Sequence, residues 1–506
     1  MKAKVLAVGI LWLILCAIGV TIYKFFIVPA NQKKAEIAAK NEKTNILINT
    51  SADSHYKSVI NFGIDSFSGY SLFRNKDFIQ LCSDKSIKIN LIDDNANYEN
   101  RLNSLQSGEL QMAVFTIGAL IESSNKLNDL PATIVAIIDE TQGADAIVGY
   151  KTIFPNIDSL NSKDLSIICT SNSPSETLAR VLMANFKLSQ LNNDNFKFTK
   201  DASEVYQIYR QSNPKDKKIF ILWEPYVSKI LENPNTATIA DSSKFKGYIV
   251  DVIVASRDFL IKNENVVKDV IESYYTTVYS NKDNMLNIIT IDSVNTGQPI
   301  NSEQAKKLVN GIKWKNTLEN YSHFGLGDKK LQHIEDIVSN ITNVLIKTGA
   351  IDKDPVQGKY NYWYTDTIMK MIFNESFHPG QEIVSEDKVL EKLTDNQWDG
   401  LVSVGTLSVK DIVFARGTSL LTQQSKDNID ELVKTLKSFP QYYLIVEGNA
   451  SNKGNLEANK KLAQERSEIV VKYLIDHGIE SERVKATSAN PKNIPSVSFL
   501  LKQLAY

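Results

Sequence analysis

Ten side chains between Asp65 and Glu224 carry the chemistry to hold a small polar molecule, and each falls at or just after an apolar run that reads as a strand. Asp65, Ser66, Ser68 and Tyr70 follow SVINFGI; Thr116 closes MAVF; Ser171, Ser173 and Ser175 follow LSIICT; Trp223 and Glu224 end KIFIL. Open α/β sheets bind ligands just beyond the carboxyl ends of their strands. Hydroxyls and backbone amides there suit an anion or a small polar solute. The segment Thr170 to Ser175 also opens a helix, whose first N–H groups can receive negative charge. Glu224 pulls the other way, since a carboxylate in the crevice repels an anion and favours a cation or an amide. A purely local account of TSNSPSE also exists: Ser173 or Ser175 caps the helix, Pro174 takes its first position and Glu176 its first turn.

Catalytic patterns are missing. No nucleophile elbow, phosphate loop, zinc spacing or paired glycosidase carboxylates stand in a convincing context, so the expectation is a binding protein without enzyme activity. His323 has no Cys or His partner at metal spacing, and neither a metal nor a cofactor is expected. Trp314, Tyr321, His323 and Phe324 read as packed aromatics. The charged residues nearly cancel, 57 Lys and Arg against 58 Asp and Glu, which argues against a nucleic-acid partner.

From Ser58 to Tyr275 short apolar runs alternate with helical patterns, which predicts a parallel, doubly wound α/β sheet. The body exceeds one ordinary domain, so residues 55–375 are expected to form two lobes with a crevice between them. The order of runs, ending YIVDVIVASRDFL and NVVKDVIESYY, resembles the periplasmic substrate-binding proteins of the nitrate, sulfonate and taurine type. The resemblance implies a hinged fold that closes on a solute.

The stretch from Ile445 to Leu474 is the most distinctive. A strand, a glycine-marked turn and a helix follow one another, with Asn459, Leu462, Ala463, Arg466, Ser467, Val470 and Leu474 on a fixed spacing. This resembles the OmpA-like peptidoglycan-binding domain. The resemblance implies that a turn carboxylate and a helix arginine grip the zwitterionic end of diaminopimelate, the arginine by a charge-assisted fork. Arg466 fills its place and Asn459 supports it. Asn449 and Ser451 stand in the turn, Ser451 where the family has aspartate, so the grip on peptidoglycan should be weaker. The same α+β domain is expected over 405–506, with a strand at Asp411 to Phe414, a helix from Ser425 and a last strand at Val497 to Leu501. Residues 376–404 read as a linker, with a short helix near its end. The whole arrangement resembles phosphate-type substrate-binding proteins fused to an OmpA family domain.

Val5 to Tyr23 holds no charged side chain. At about 1.5 Å per residue such a run crosses a hydrocarbon core of roughly 30 Å, so residues 1–30 read as a membrane anchor. Asn31 to Lys43 reads as a polar helical stalk within 31–54. Lysines after the span outnumber those before it. Large carboxy-terminal domains cross regardless of that count, and the expected topology is a single pass through the inner membrane with the bulk of the chain outside the cytoplasm. Two functions are compatible with these features. One is a membrane-anchored solute-binding protein tethered to the cell wall; the other is a spacer or docking scaffold between membrane and wall with no solute.

Overall fold

The computed structural model describes residues 56–504, apart from 126, 128–129, 328–330, 380–389, 416, 450, 452 and 490–496. The expected anchor Val5 to Tyr23, the stalk to residue 54, and residues 380–389 of the linker lie outside the described residues. Among the described residues no helix is long and apolar enough to cross a membrane.

Lobe 1 begins with β1 (Ser58–Ile64), β2 (Ile87–Asp93), β3 (Met112–Thr116), the helix α1 (Ile117–Ser124) and β4 (Ala132–Thr141). The chain crosses through residues 142–144 into lobe 2, which runs β5 (Asp145–Tyr150), β6 (Ser166–Thr170), α2 (Pro174–Asn185), β7 (Phe196–Thr199), β8 (Lys218–Trp223) and β9 (Thr236–Asp241). Residues 242–249 carry it back for β10 (Val250–Ser256), α3 (Glu264–Ser280), β11 (Ile312–Trp314) and α4 (Ile334–Lys347). Lobe 1 therefore has the strand order β11-β4-β10-β3-β1-β2, and lobe 2 the order β7-β6-β8-β5-β9.

The alternation of runs predicts a parallel sheet, but neither sheet is wholly parallel. The βα units place β1, β2 and β3 parallel, but β10 runs antiparallel to both β3 and β4. In lobe 2, β5 runs antiparallel to β8 and β9. The cause is the double crossing. A strand that leaves a lobe points toward the crossing, and one that enters points away from it. Covered on both faces, β10 is buried along its whole length, which explains its continuous VDVIVAS apolar run. The two crossings are tied side by side, because Ser242 Oγ accepts the N–H of Gly143 at 2.7 Å.

The third domain comprises β12 (Val402–Thr406), α5 (Gln423–Lys437), β13 (Tyr443–Gly448), α6 (Leu456–Asp476), β14 (Val484–Ser488) and β15 (Val497–Gln503), in the sheet order β12-β15-β13-β14. The strand expected at Asp411 to Phe414 does not form. Its backbone groups are taken by side chains: Ser425 Oγ accepts from Val413 N–H and donates to Val413 carbonyl, and Asn428 donates to Asp411 carbonyl. Val402–Thr406 supplies the edge strand instead, pairing antiparallel with β15, so the expected domain start at 405 falls inside a strand. Gly448 lets α6 lie directly on β13, since a Cβ there would stand 2.0 Å from the Ala463 carbonyl oxygen.

Candidate functional site

The β-ladder of lobe 1 sets four side chains in one row beside the crossings. Thr116 pairs with Asp251, Asp251 with Asp139, and Asp139 with Trp314. Directly opposed residues share a face of the sheet, and two carboxylates in that position repel. Asp139 and Asp251 are both fully buried, and burial first, then their mutual charge, raises the Asp251 pKa well above its ordinary value. Burial likewise raises Asp139. The pair is coherent only with a proton held between the two acids.

The loop after β1 lies across this pair. Tyr70 hydroxyl donates to Asp251 at 2.8 Å, and Trp314 Nε1 donates to the Gly69 carbonyl at 2.9 Å. Gly69 is required here, because a Cβ would stand 2.7 Å from an Asp139 carboxylate oxygen. Asp65 points inward. One of its oxygens accepts the Phe67 N–H and the other meets Arg101 at 3.1 Å. Arg101 is fully buried, pairs also with Asp94 at 2.5 Å and donates to the Val114 carbonyl. Ser66 accepts from Gln298, and Ser68 lies in the short turn that presents Tyr70.

Lobe 2 meets this edge helix to helix. Thr116 caps α1 by accepting the Ala119 N–H, and Ser173 caps α2 by accepting the Glu176 N–H. A Cβ on Gly118 would stand 2.7 Å from Thr177 Oγ1, and Asn172 donates to Ser123. The N–H of Asn172, which an incoming anion would need, is already bonded to the Glu176 carboxylate at 2.7 Å. Ser171 is exposed at the mouth of the loop, while Ser175 is buried with no partner for its hydroxyl. Burial and the facing Glu176 raise the pKa of Glu122 on α1. A further tie runs through α4, where Arg180 donates to the Thr348 carbonyl at 3.1 Å.

Trp223 and Glu224 end β8 next to the first crossing. Asp145 pairs with Trp223, and Glu224 N–H donates to the Ala144 carbonyl. The Glu224 carboxylate accepts the N–H and hydroxyl of Ser228 in the first turn of the following helix. The structure thus gathers the Asp65–Tyr70 loop and Thr116 with one acid pair, lays the Ser171–Ser175 loop against α1, and sets Trp223 and Glu224 beside the crossing. Most of their polar atoms are already bonded within the protein.

Several important residues escaped sequence reasoning: Asp139, Asp251, Asp145 and Arg101. Burial pushes Asp145 up to about 7. The signal is acids set in otherwise apolar strands, Asp139 with Glu140 at the end of ATIVAIIDE and Asp251 alone in YIVDVIVAS. A separate cavity of ≈ 270 Å³ lies in lobe 1, walled by Tyr275, Tyr279, Met285, Trp314 and Pro379. Of the four aromatics expected to pack, Tyr321, His323 and Phe324 are buried, and burial lowers His323 to about 4, whereas Trp314 is only partly buried and faces the cavity. No group of three potential metal ligands occurs among the described residues.

In the third domain Asn459 donates to the carbonyls of Ser451 and Lys453, fastening the turn to α6. Arg466 donates to the Thr418 carbonyl at 3.0 Å, and its guanidinium stands over the Phe414 ring at 4.8 Å. Asn449 is buried and donates to Ser498. Arg466 is therefore oriented by its own domain, against the segment that precedes α5.

The described chain is thus two α/β lobes joined by a double crossing and followed by a four-stranded α+β domain. Residues 413–495 match the OmpA family. The peptidoglycan-associated lipoprotein of Brucella melitensis is 29% identical over 84 residues, 16% of this chain and 50% of that protein. The chain thus spans about half the length of the curated relatives it matches. Among solved structures, the periplasmic aliphatic sulphonate binding protein of Escherichia coli aligns with TM-score 0.46 and 12% identity, covering 67% of this chain and 97% of the other. The periplasmic nitrate-binding protein of Synechocystis PCC 6803 aligns with TM-score 0.47 and 10% identity, covering 65% and 91%.

Proposed function

We propose that the chain is an envelope protein whose two lobes close on a small polar solute while its third domain holds peptidoglycan. Val5 to Tyr23 serves as a single-pass anchor in the inner membrane, with the bulk of the chain in the periplasm. The observation that carries the solute reading is the row Thr116, Asp251, Asp139 and Trp314, capped by the Asp65–Tyr70 loop at the edge where the lobes meet. Arg101 is consumed by Asp65 and Asp94, and Arg74 by Asp292 at 2.6 Å, so this edge has more acid than base. A neutral polar or cationic solute suits it better than an anion. The test is native mass spectrometry of the detergent-purified full chain, followed by release and identification of small molecules. A retained polar or cationic species that raises the melting temperature when added back supports the reading. A chain that carries nothing, and that no compound of a polar-solute panel stabilises, removes it.

A second reading, a spacer without solute, is favoured by one set of contacts: Gly118 against Thr177, Asn172 to Ser123 and Arg180 to Thr348 already satisfy the faces that a solute would separate. The wall affinity is carried by Arg466, Asn459 and the turn at Asn449 and Ser451. Ser451→Asp restores the charge that pairs with an ammonium and strengthens retention on diaminopimelate-type peptidoglycan by about tenfold or more. Arg466→Ala removes the gain. Equal retention of all three proteins assigns the binding elsewhere.

A further inference from the structure

The third domain does not hang free from the lobes; it is seated on the second crossing. Phe439, at the turn between α5 and β13, is fully buried and packs against Phe245 at 5.2 Å and Tyr248 at 6.4 Å between ring centres. Both partners lie within residues 242–249. Lys246 N–H donates to the Ser438 carbonyl at 2.8 Å, a backbone bond directly between the crossing and the third domain. Tyr442 adds an edge contact to Phe245.

A second set of contacts fixes the same domain to lobe 2. Asp158 accepts both the N–H and the hydroxyl of Thr406, at 2.8 and 3.0 Å. Lys187 N–H donates to the Thr406 carbonyl, Ser408 N–H to the Asn185 carbonyl, and Phe186 stacks on Phe439. Gly405 makes the approach possible, because a Cβ there would stand 2.9 Å from the Phe186 ring and 3.1 Å from Ile157.

Opening a two-lobed protein requires its crossing segments to rotate, with most of the change absorbed in a few residues at their ends. Here one of the two crossings is clamped along its middle by a body that is itself bolted to lobe 2. We infer that the docked third domain is a brake on lobe opening, so that undocking it, or a force on it from whatever it holds, loosens the crossing and the lobes. The coupling runs through Phe439, Ser438 and Thr406 and is independent of which solute, if any, the lobes take. Because linkage is reciprocal, closure of the lobes also favours the docked position of the third domain.

The experiment uses the full chain with spin labels on Lys76→Cys in lobe 1 and Lys215→Cys in lobe 2, both exposed positions, in a Cys16→Ser background; Cys82 and Cys169 are buried. Gly405→Leu wedges the contact from the third domain, and Asp158→Ala removes its two acceptors from the lobe 2 side without touching the third domain's own fold. Hydrogen exchange at Lys246 is expected to rise about tenfold or more in both variants. The interlobe distance distribution is expected to broaden toward longer values, with circular dichroism unchanged. Faster exchange at Lys246 with an unaltered distance distribution overturns the inference, since the domain then undocks without consequence. Unaltered exchange and distance in both variants overturns it equally, because the contact then exerts no hold.

Discussion

Asp139 and Asp251 show how a single residue type can set the pH response of a whole lobe. Both acids are raised by burial, and Asp145 beside them is raised from 3.8 to about 7. A raised acid binds its proton more tightly folded than unfolded. Its stabilising contribution is complete below the unfolded value and is lost as pH climbs through the folded one. The wild-type protein should therefore lose stability on the order of a few kcal/mol between about pH 4 and pH 7, with Glu122 adding in the same direction. Asp145→Asn and Asp139→Asn should each flatten that slope, as urea denaturation at pH 5 and pH 8 reads out. Parallel pH profiles for wild type and both variants would show that these acids ionise as freely folded as unfolded. Legibility at this scale is partial. Asp65 and Tyr70 could be nominated from their place after a strand. That Asp65 turns away to Arg101, 36 positions on, is a long-range pairing that no local pattern encodes.

Among the elements, those with strong local signals were readable and those decided by partners were not. Ser173 with Pro174 and Glu176 announces the start of α2, and the structure has that cap. The 3.6-residue spacing of Ile429, Leu432, Val433 and Leu436 announces α5, and all four are buried. The direction of β10 was not readable, because a buried strand looks the same run either way. The false strand at Asp411 to Phe414 has the right composition, yet Ser425 and Asn428 reach it first. Gly448 belongs to this scale also. Gly448→Ala drives a methyl into the Ala463 carbonyl and should cost at least ~2 kcal/mol of third-domain stability through forced separation of β13 and α6. A melting transition of the third domain that is unmoved in this variant would mean that the helix slides without penalty.

For the whole molecule, the order of strands in lobe 1 bears on how the protein comes into being. Its sheet is β11-β4-β10-β3-β1-β2, and β10 is the plank between β3 and β4. Those two strands belong to the first part of the chain, whereas the plank arrives only after all of lobe 2 has been made. A polypeptide emerging amino end first thus holds an unfinished sheet, with β3 and β4 each lacking the neighbour that hydrogen-bonds them, while residues 145–241 already hold every strand of the second sheet. Lobe 2 should mature before lobe 1. Nascent chains arrested with 249 residues outside the ribosome should resist protease across lobe 2 and be cut within 58–141, and chains arrested with 265 outside should begin to protect β3 and β4. The interval between those two lengths is the time for which a helper protein would have to shield Val114, Phe115 and Ile134–Ile138, all of them completely buried once the plank is in place.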